Sequence, residues 1–149
     1  MKKALPKILI IVLICVVVAT CFLVYHRNRQ DIPSLNYKNL VSVAAQSGTL
    51  MVTKSEDETS CIIDGSQLAQ FLDTTNWTEQ IGIIRNVQRD TEQNSKSSIQ
   101  IKLDGVYLKL FDTDTANIYD ETTGKDRYYK MSDGDYEKVL ALLSMAFAN

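Results

Sequence analysis

The residues that could carry chemistry are few, and what is missing narrows the field first. The only histidine is His26, so no Ser-His-Asp or Cys-His unit and no histidine-ligated zinc can be assembled from the residues after it. The six glycines are scattered among turns without a phosphate-cradling loop or dinucleotide fingerprint, and no cofactor is expected. Asp112-Thr113-Asp114 opens like a calcium loop. Ala116 stands where an oxygen ligand belongs and Asn117 where the turn glycine belongs, and no Glu closes the loop, so the segment reads as an ordinary turn and no metal is expected. Eighteen Asp and Glu leave room for a carboxylate pair, but none stands out by spacing. No catalytic residue is assigned. A non-catalytic binding module is the primary reading, and a cell-envelope hydrolase using an acidic pair is the alternative.

Cysteine adds little chemistry. Cys15 and Cys21 lie in an apolar run, which leaves Cys61 alone in the remainder and permits no disulfide there. Cys61 opens the triplet Cys61-Ile62-Ile63 and reads as a buried structural thiol. Val18-Ala19-Thr20-Cys21 resembles a lipobox, in which Cys21 would be the lipidated first residue. Two departures from that pattern are visible: Thr20 replaces a small Gly, Ala or Ser, and Phe22-Leu23 follows where a polar linker is usual. Asn76-Trp77-Thr78 has the letters of a glycosylation sequon, which matters only in a eukaryote.

Aromatic residues are the remaining candidates. Tyr107, Lys109, Phe111, Tyr119 and Tyr128 form a possible interaction surface, because tyrosines concentrate where proteins bind one another. Cross-strand packing on a solvated sheet is the competing reading. Trp77 reads as a plug at a helix-to-strand corner.

The elements that hold these residues begin with an uncharged run of eighteen residues, from Ile8 to Tyr25, flanked by Lys2, Lys3 and Lys7 before it and His26, Arg27 and Arg29 after it. As a helix it reaches about 27 Å, close to the hydrocarbon thickness of a bilayer. Residues 1–26 therefore read as a single-pass signal-anchor, and Val18-Ala19-Thr20 only approximates a signal-peptidase site. The lysine-led start leans toward an inside N-terminus and an extracytoplasmic C-terminal domain. Residues 27–38 read as a polar linker with Pro33, and residues 39–149 as one α+β domain. Residues 30–149 carry eleven Lys/Arg against eighteen Asp/Glu, a net of −7, which disfavours nucleic acid and anionic lipid as partners. The membrane and a protein of the envelope are the partners expected.

Within the domain, residues 40–46 and 49–54 read as strands joined by Ser47-Gly48, and residues 60–63 as a third. Asp64 caps a short helix whose stripe is Leu68, Phe71 and Leu72 and which ends near Asp73. Residues 81–87 read as a strand, and residues 88–98, which contain no apolar side chain, as an exposed loop. The clearest element is the hairpin from Ser98 to Phe111: Asp104-Gly105 is a two-residue turn signal, and the pairing Leu103 with Val106, Ile101 with Leu108 and Ile99 with Leu110 gathers six aliphatics on one face. Strands are also expected at 116–119 and 127–131. Ser132 with Asp135 reads as the capping box of a last helix with the stripe Tyr136, Val139, Leu140, Leu143 and Phe147. The sum is an α+β fold, an antiparallel sheet of five to seven strands covered on one face by two helices.

The pattern Ile99-x-Ile101-x-Leu103-Asp104-Gly105 through Leu108-x-Leu110, then Tyr128-Tyr129-Lys130-Met131-Ser132 leading to Tyr136, resembles small uncharacterised extracytoplasmic domains of Gram-positive bacteria borne on anchors or lipoprotein signals. The resemblance covers about residues 60–147. It implies a location and a fold, and it carries no activity. A pilin-like reading fails on the missing Gly-Phe cleavage site and the missing Glu in the apolar helix.

Overall fold

The computed structural model describes residues 5–28, 32–80 and 84–147, and the chain divides into two compact units, Met1–Ile32 and Pro33–Asn149. The first unit contains one helix, α1 (Leu5–Asn28), of 24 residues. Its side chains are described over residues 10–23, and every one of them is exposed. Thr20, the polar residue in this stretch, turns its hydroxyl back onto the Val16 and Val17 carbonyls. Among the described residues no helix is long and apolar enough to cross a membrane, so the spanning role expected of this segment rests on the sequence alone.

The second unit is α+β, with a seven-stranded antiparallel sheet. A 3-10 turn (Pro33–Leu35) leads to α2 (Tyr37–Gln46), followed by β1 (Thr49–Lys54), β2 (Ser60–Asp64), α3 (Gly65–Thr74), β3 (Thr78–Glu79) and α4 (Ile84–Asn94). Four meandering strands, β4 (Ser98–Leu103), β5 (Val106–Phe111), β6 (Thr115–Asp120) and β7 (Lys125–Lys130), precede α5 (Asp135–Phe147). The strand order across the sheet is β2-β1-β4-β5-β6-β7-β3.

The β4–β5 hairpin has the register expected: Leu103 opposes Val106, Ile101 opposes Leu108 and Ile99 opposes Leu110. Gly105 takes φ +66°, a conformation that glycine adopts without steric cost, which is why this position closes the turn. The same face continues through Leu50 and Val52 on β1, Ile63 on β2, Ala116 and Ile118 on β6 and Tyr129 on β7, all buried. Against it lie the buried stripes of three helices: Tyr37, Leu40 and Ala44 of α2, Leu68, Phe71 and Leu72 of α3, and Tyr136, Val139 and Leu143 of α5. The side chains of Met145 and Phe147 lie outside the described residues.

Several expectations are corrected. Residues 40–46 are helical, not a strand. Asn36 caps that helix by accepting the Lys38 N–H at 3.0 Å, and Tyr37, Leu40 and Ala44 recur at helical spacing, a stripe that is cut short if Tyr37 is assigned to a linker. The supposed linker is in fact pinned to the sheet from Pro33 onward. Leu35 and Tyr37 are buried, the Tyr129 hydroxyl donates to the Leu35 carbonyl at 2.7 Å, and the Ser34 hydroxyl donates to the Asp120 carboxylate. Residues 84–94 form a helix where a strand end and a loop were expected, and residues 81–83 of that expected strand lie outside the described residues. Helix count therefore exceeds two. Ser132 does not cap α5: the helix begins at Asp135, whose carboxylate is taken by the Trp77 indole N–H at 3.0 Å and the Lys138 ammonium at 2.8 Å. Asp64, by contrast, caps α3 as expected, accepting the Ser66 N–H at 2.8 Å.

Asp120 ties this frame together, because the Ser34 hydroxyl and the N–H groups of Thr122 and Thr123, at 2.8 and 2.9 Å, all donate to its buried carboxylate. Ser34 first, then the Thr123 amide, hold its pKa below the ordinary carboxylate range. A carboxyl whose pKa is lower folded than unfolded stabilises the fold above the unfolded value, about 3.9, and loses that contribution as pH falls through the folded value. Asp120→Ala in the full chain in detergent micelles is expected to lower the melting temperature at neutral pH by about 4–8 °C. The difference from the parent chain should shrink as the pH is lowered toward 3. A difference that stays constant with pH would show that the carboxylate charge is not what holds the turn.

Candidate functional site

The second face of the sheet is where sequence and structure leave chemistry unspent. Alternation places Ile62, Met51, Lys102, Tyr107, Tyr119 and Asp126 on one cross-strand rung running from β2 to β7. Ile62 is 70% exposed, Met51 53% and Tyr119 39%, and Tyr107 is half-buried between its neighbours. The Tyr107 and Tyr119 rings, directly opposed, lie 6.4 Å apart at a tilt of 33°. Lys102 sits with its ammonium 5.4 Å from the centre of the Tyr107 ring, and the Tyr107 hydroxyl beside it, with the Glu121 charge, holds that ammonium above the usual lysine range. An aliphatic, aromatic and cationic strip is therefore presented to solvent from a rigid sheet.

Only part of the expected surface is assembled here. Tyr107 and Tyr119 come together, and Lys109 is half-buried one rung away with its ammonium 5.0 Å from the Phe111 ring centre. Phe111 and Tyr128, at 4% and 6% exposure, are withdrawn from the surface. They belong to the same face of the sheet, but at its α4 end, where Thr91 of the helix is also buried. Burial above all, then the negative charges of Asp126 and Glu92, push the Tyr128 phenol up to about 12. Met51 and Ile62 are the residues that sequence reasoning left out, whereas Lys102, which the hairpin register sets opposite Tyr107 on the open face, stands where that register puts it. The signal for the first two is present, since each is the outward-facing member of an apolar triplet, Leu50-Met51-Val52 and Cys61-Ile62-Ile63, but it is readable only once β1 is paired with β2.

Beside the covered end lies an open cavity of about 180 Å³ lined by Ser55, Glu92, Ser95, Lys96, Ser97, Ser98, Lys109 and Phe111. Glu92 is its single carboxylate. Next to it, Asp112 accepts the Ser95 hydroxyl at 2.7 Å and the Lys96 and Ser97 N–H groups at 3.2 Å. Its oxygens fasten the α4–β4 connection rather than an ion. Among the described residues no group of three or more His, Cys, Asp or Glu is placed to hold a metal ion. Cys61 is half-buried, and burial pushes its thiol up, so it remains protonated and poorly nucleophilic at neutral pH. Trp77 does plug the corner between α3 and β3, stacked 5.0 Å from Tyr37 and tilted 6.4 Å from Phe71.

No protein-family model matches the chain, and neither curated proteins nor solved structures include a match. The class defined by fold and site is an α+β unit with one face of its sheet buried and one strip of the other open.

Proposed function

We propose that the chain is a membrane-tethered, extracytoplasmic interaction module, a sensor or accessory subunit of an envelope complex, without catalytic activity of its own. The observation that carries the reading is the asymmetry of the sheet. One face buries its aliphatic centre, from Leu50 and Val52 to Ile118 and Tyr129, while the other exposes Ile62, Met51 and Tyr119 on a single rung with Tyr107 and Lys102. Exposed apolar and aromatic side chains grouped on a rigid scaffold are what a protein partner buries as the centre of an interface. The alternative, a hydrolase, would need two carboxylates facing one another across about 5 to 9 Å. The tether is supported by the eighteen-residue uncharged run of the sequence, longer than the stretch of α1 whose side chains are described.

Two measurements test the two halves. A reporter fused after Asn149 that works only outside the cytoplasm should be active, and activity of a cytoplasm-only reporter would sink the topology. Palmitate labelling at Cys21 would replace the spanning anchor by a lipid one. A photo-crosslinking residue at position 119, on the open strip, should give a discrete adduct in native membranes, and the same residue at exposed position 137 on α5 should not. Equal labelling from both positions, or none from 119, would remove the sheet face as the binding surface.

A further inference from the structure

The open strip ends at β2, the outermost strand on that side of the sheet, and the ladder shows which of its backbone groups are unspent. Lys54 N–H donates to the Thr59 carbonyl at 2.9 Å, and Gly65 N–H to the Gly48 carbonyl at 2.8 Å. Hydrogen-bonded pairs recur at every second residue of an antiparallel ladder, so these two bonds fix Cys61 and Ile63 as the residues bonded to β1. Ser60 and Ile62 therefore turn both N–H and carbonyl away from the sheet, as does the Asp64 N–H. Among the described residues no strand pairs with that edge. The opposite edge, β3, is two residues long and offers no comparable template.

Resting on the interaction-module reading and naming its partner's chemistry, we propose that β2 is a docking edge for an extended, basic segment of a partner protein, which adds as a further strand beside Ile62. Exposed Ile62 and Met51 supply the apolar contact for one alternate side chain of the added strand, and the edge supplies main-chain hydrogen bonds. Charge selects the occupant. Glu56, Asp57 and Glu58 are exposed at one end of β2 and Asp64 at the other; Lys54 pairs with Glu56 at 3.2 Å, while Asp57 and Asp64 accept neutral hydrogen bonds, from Thr59 and the Ser66 N–H, that leave their negative charge in place. A second copy is the wrong partner: antiparallel pairing centred on Ile62 sets Asp64 of one copy beside Ser60 and the acidic turn of the other, in domains already at net −7. Cations at both ends of the added strand meet those carboxylates instead.

The probes are two labelled peptides, Lys-Thr-Val-Thr-Val-Lys and its counterpart Glu-Thr-Val-Thr-Val-Glu, titrated into the full chain in detergent micelles with amide exchange read by NMR. The lysine peptide should bind and slow exchange at Ser60, Ile62 and Asp64, while Cys61 and Ile63, already bonded to β1, stay unchanged. Ile62→Pro removes an outward N–H that the ladder does not use, and Ile62→Lys removes the apolar contact and adds a repelling charge. Each should weaken binding by about tenfold or more with the chain still folded. Equal binding of the glutamate peptide overturns the charge argument. Concentration-dependent self-association protecting the same amides overturns it in favour of a second copy. Perturbation confined to Tyr107 and Tyr119, or no binding at all, overturns the edge, and in the first case the open face survives as the binding surface.

Discussion

Leu108→Ala is expected to remove about 2–5 kcal/mol of unfolding free energy, measured by denaturant melts of the full chain in detergent micelles. Leu108 is fully buried at the middle of β5, opposed by Ile101 on β4 and Ile118 on β6, with helices above it. Truncation removes its transfer energy and leaves a cavity that its two cross-strand neighbours, held by their own ladders, cannot close. Against a typical total of about 5–15 kcal/mol, a loss of that size threatens the fold itself. The adjacent residue gives the contrast. Tyr107 points to the other side, half-buried between Lys102 and Tyr119, and Tyr107→Ala should cost about 1 kcal/mol or less while weakening a partner on the open strip. If the two variants prove equally damaging, the face assigned to Tyr107 is covered and the proposed surface falls.

That contrast was legible in the sequence because a period of two is hard to mistake when a turn pins the register. Asp104-Gly105 did so, and the hairpin, β6, β7 and the α3 cap all follow local rules. Where the reading failed, a local pattern had two solutions or none. Residues 40–46 alternate plausibly as Val41, Val43 and Ala45, yet the same segment presents Leu40 and Ala44 at helical spacing. Only the burial of Tyr37, a tertiary fact, decides between them. Residues 88–94 offer no apolar period, and their helix shows instead polar ties such as Gln88 to Glu92 at 3.1 Å and Asn94 to the Asp90 carbonyl at 2.7 Å. The candidate surface was half legible for a related reason. Alternation along the hairpin puts Phe111 on the face of Tyr107, and Tyr128 proves to share that face through β6, but alternation cannot say that the far end of that face is covered.

The helix pair beneath the sheet carries the most severe constraint on a single small residue, and it is one no local rule exposes. Gly65, at the first position of α3, has an ordinary negative φ, so no turn geometry requires a glycine there. A Cβ built on it would stand 2.2 Å from the Ala44 carbonyl oxygen, near the C-terminal end of α2. Real carbon and oxygen atoms do not approach so closely, and the obstacle is backbone that cannot rotate away. The approach is held from both sides: Gly65 N–H is bonded to the Gly48 carbonyl at 2.8 Å, and the Ser47 hydroxyl closes α2 on the Val43 carbonyl at 2.6 Å. Gly65→Ala would normally favour a helix slightly. Here it must push α3 off α2, loosening the packing of two helices that bury Leu40 and Ala44 on one and Leu68 and Leu72 on the other, and it is expected to cost about 3 kcal/mol or more. Gly65→Ala melts should therefore rank beside Leu108→Ala. Ala44→Gly would not relieve the clash, because the atom in the way is the carbonyl oxygen and not the methyl. A double variant as unstable as Gly65→Ala alone, or more so, is the expected result; recovery of stability in it would show that side-chain crowding rather than backbone contact sets the separation of α2 and α3.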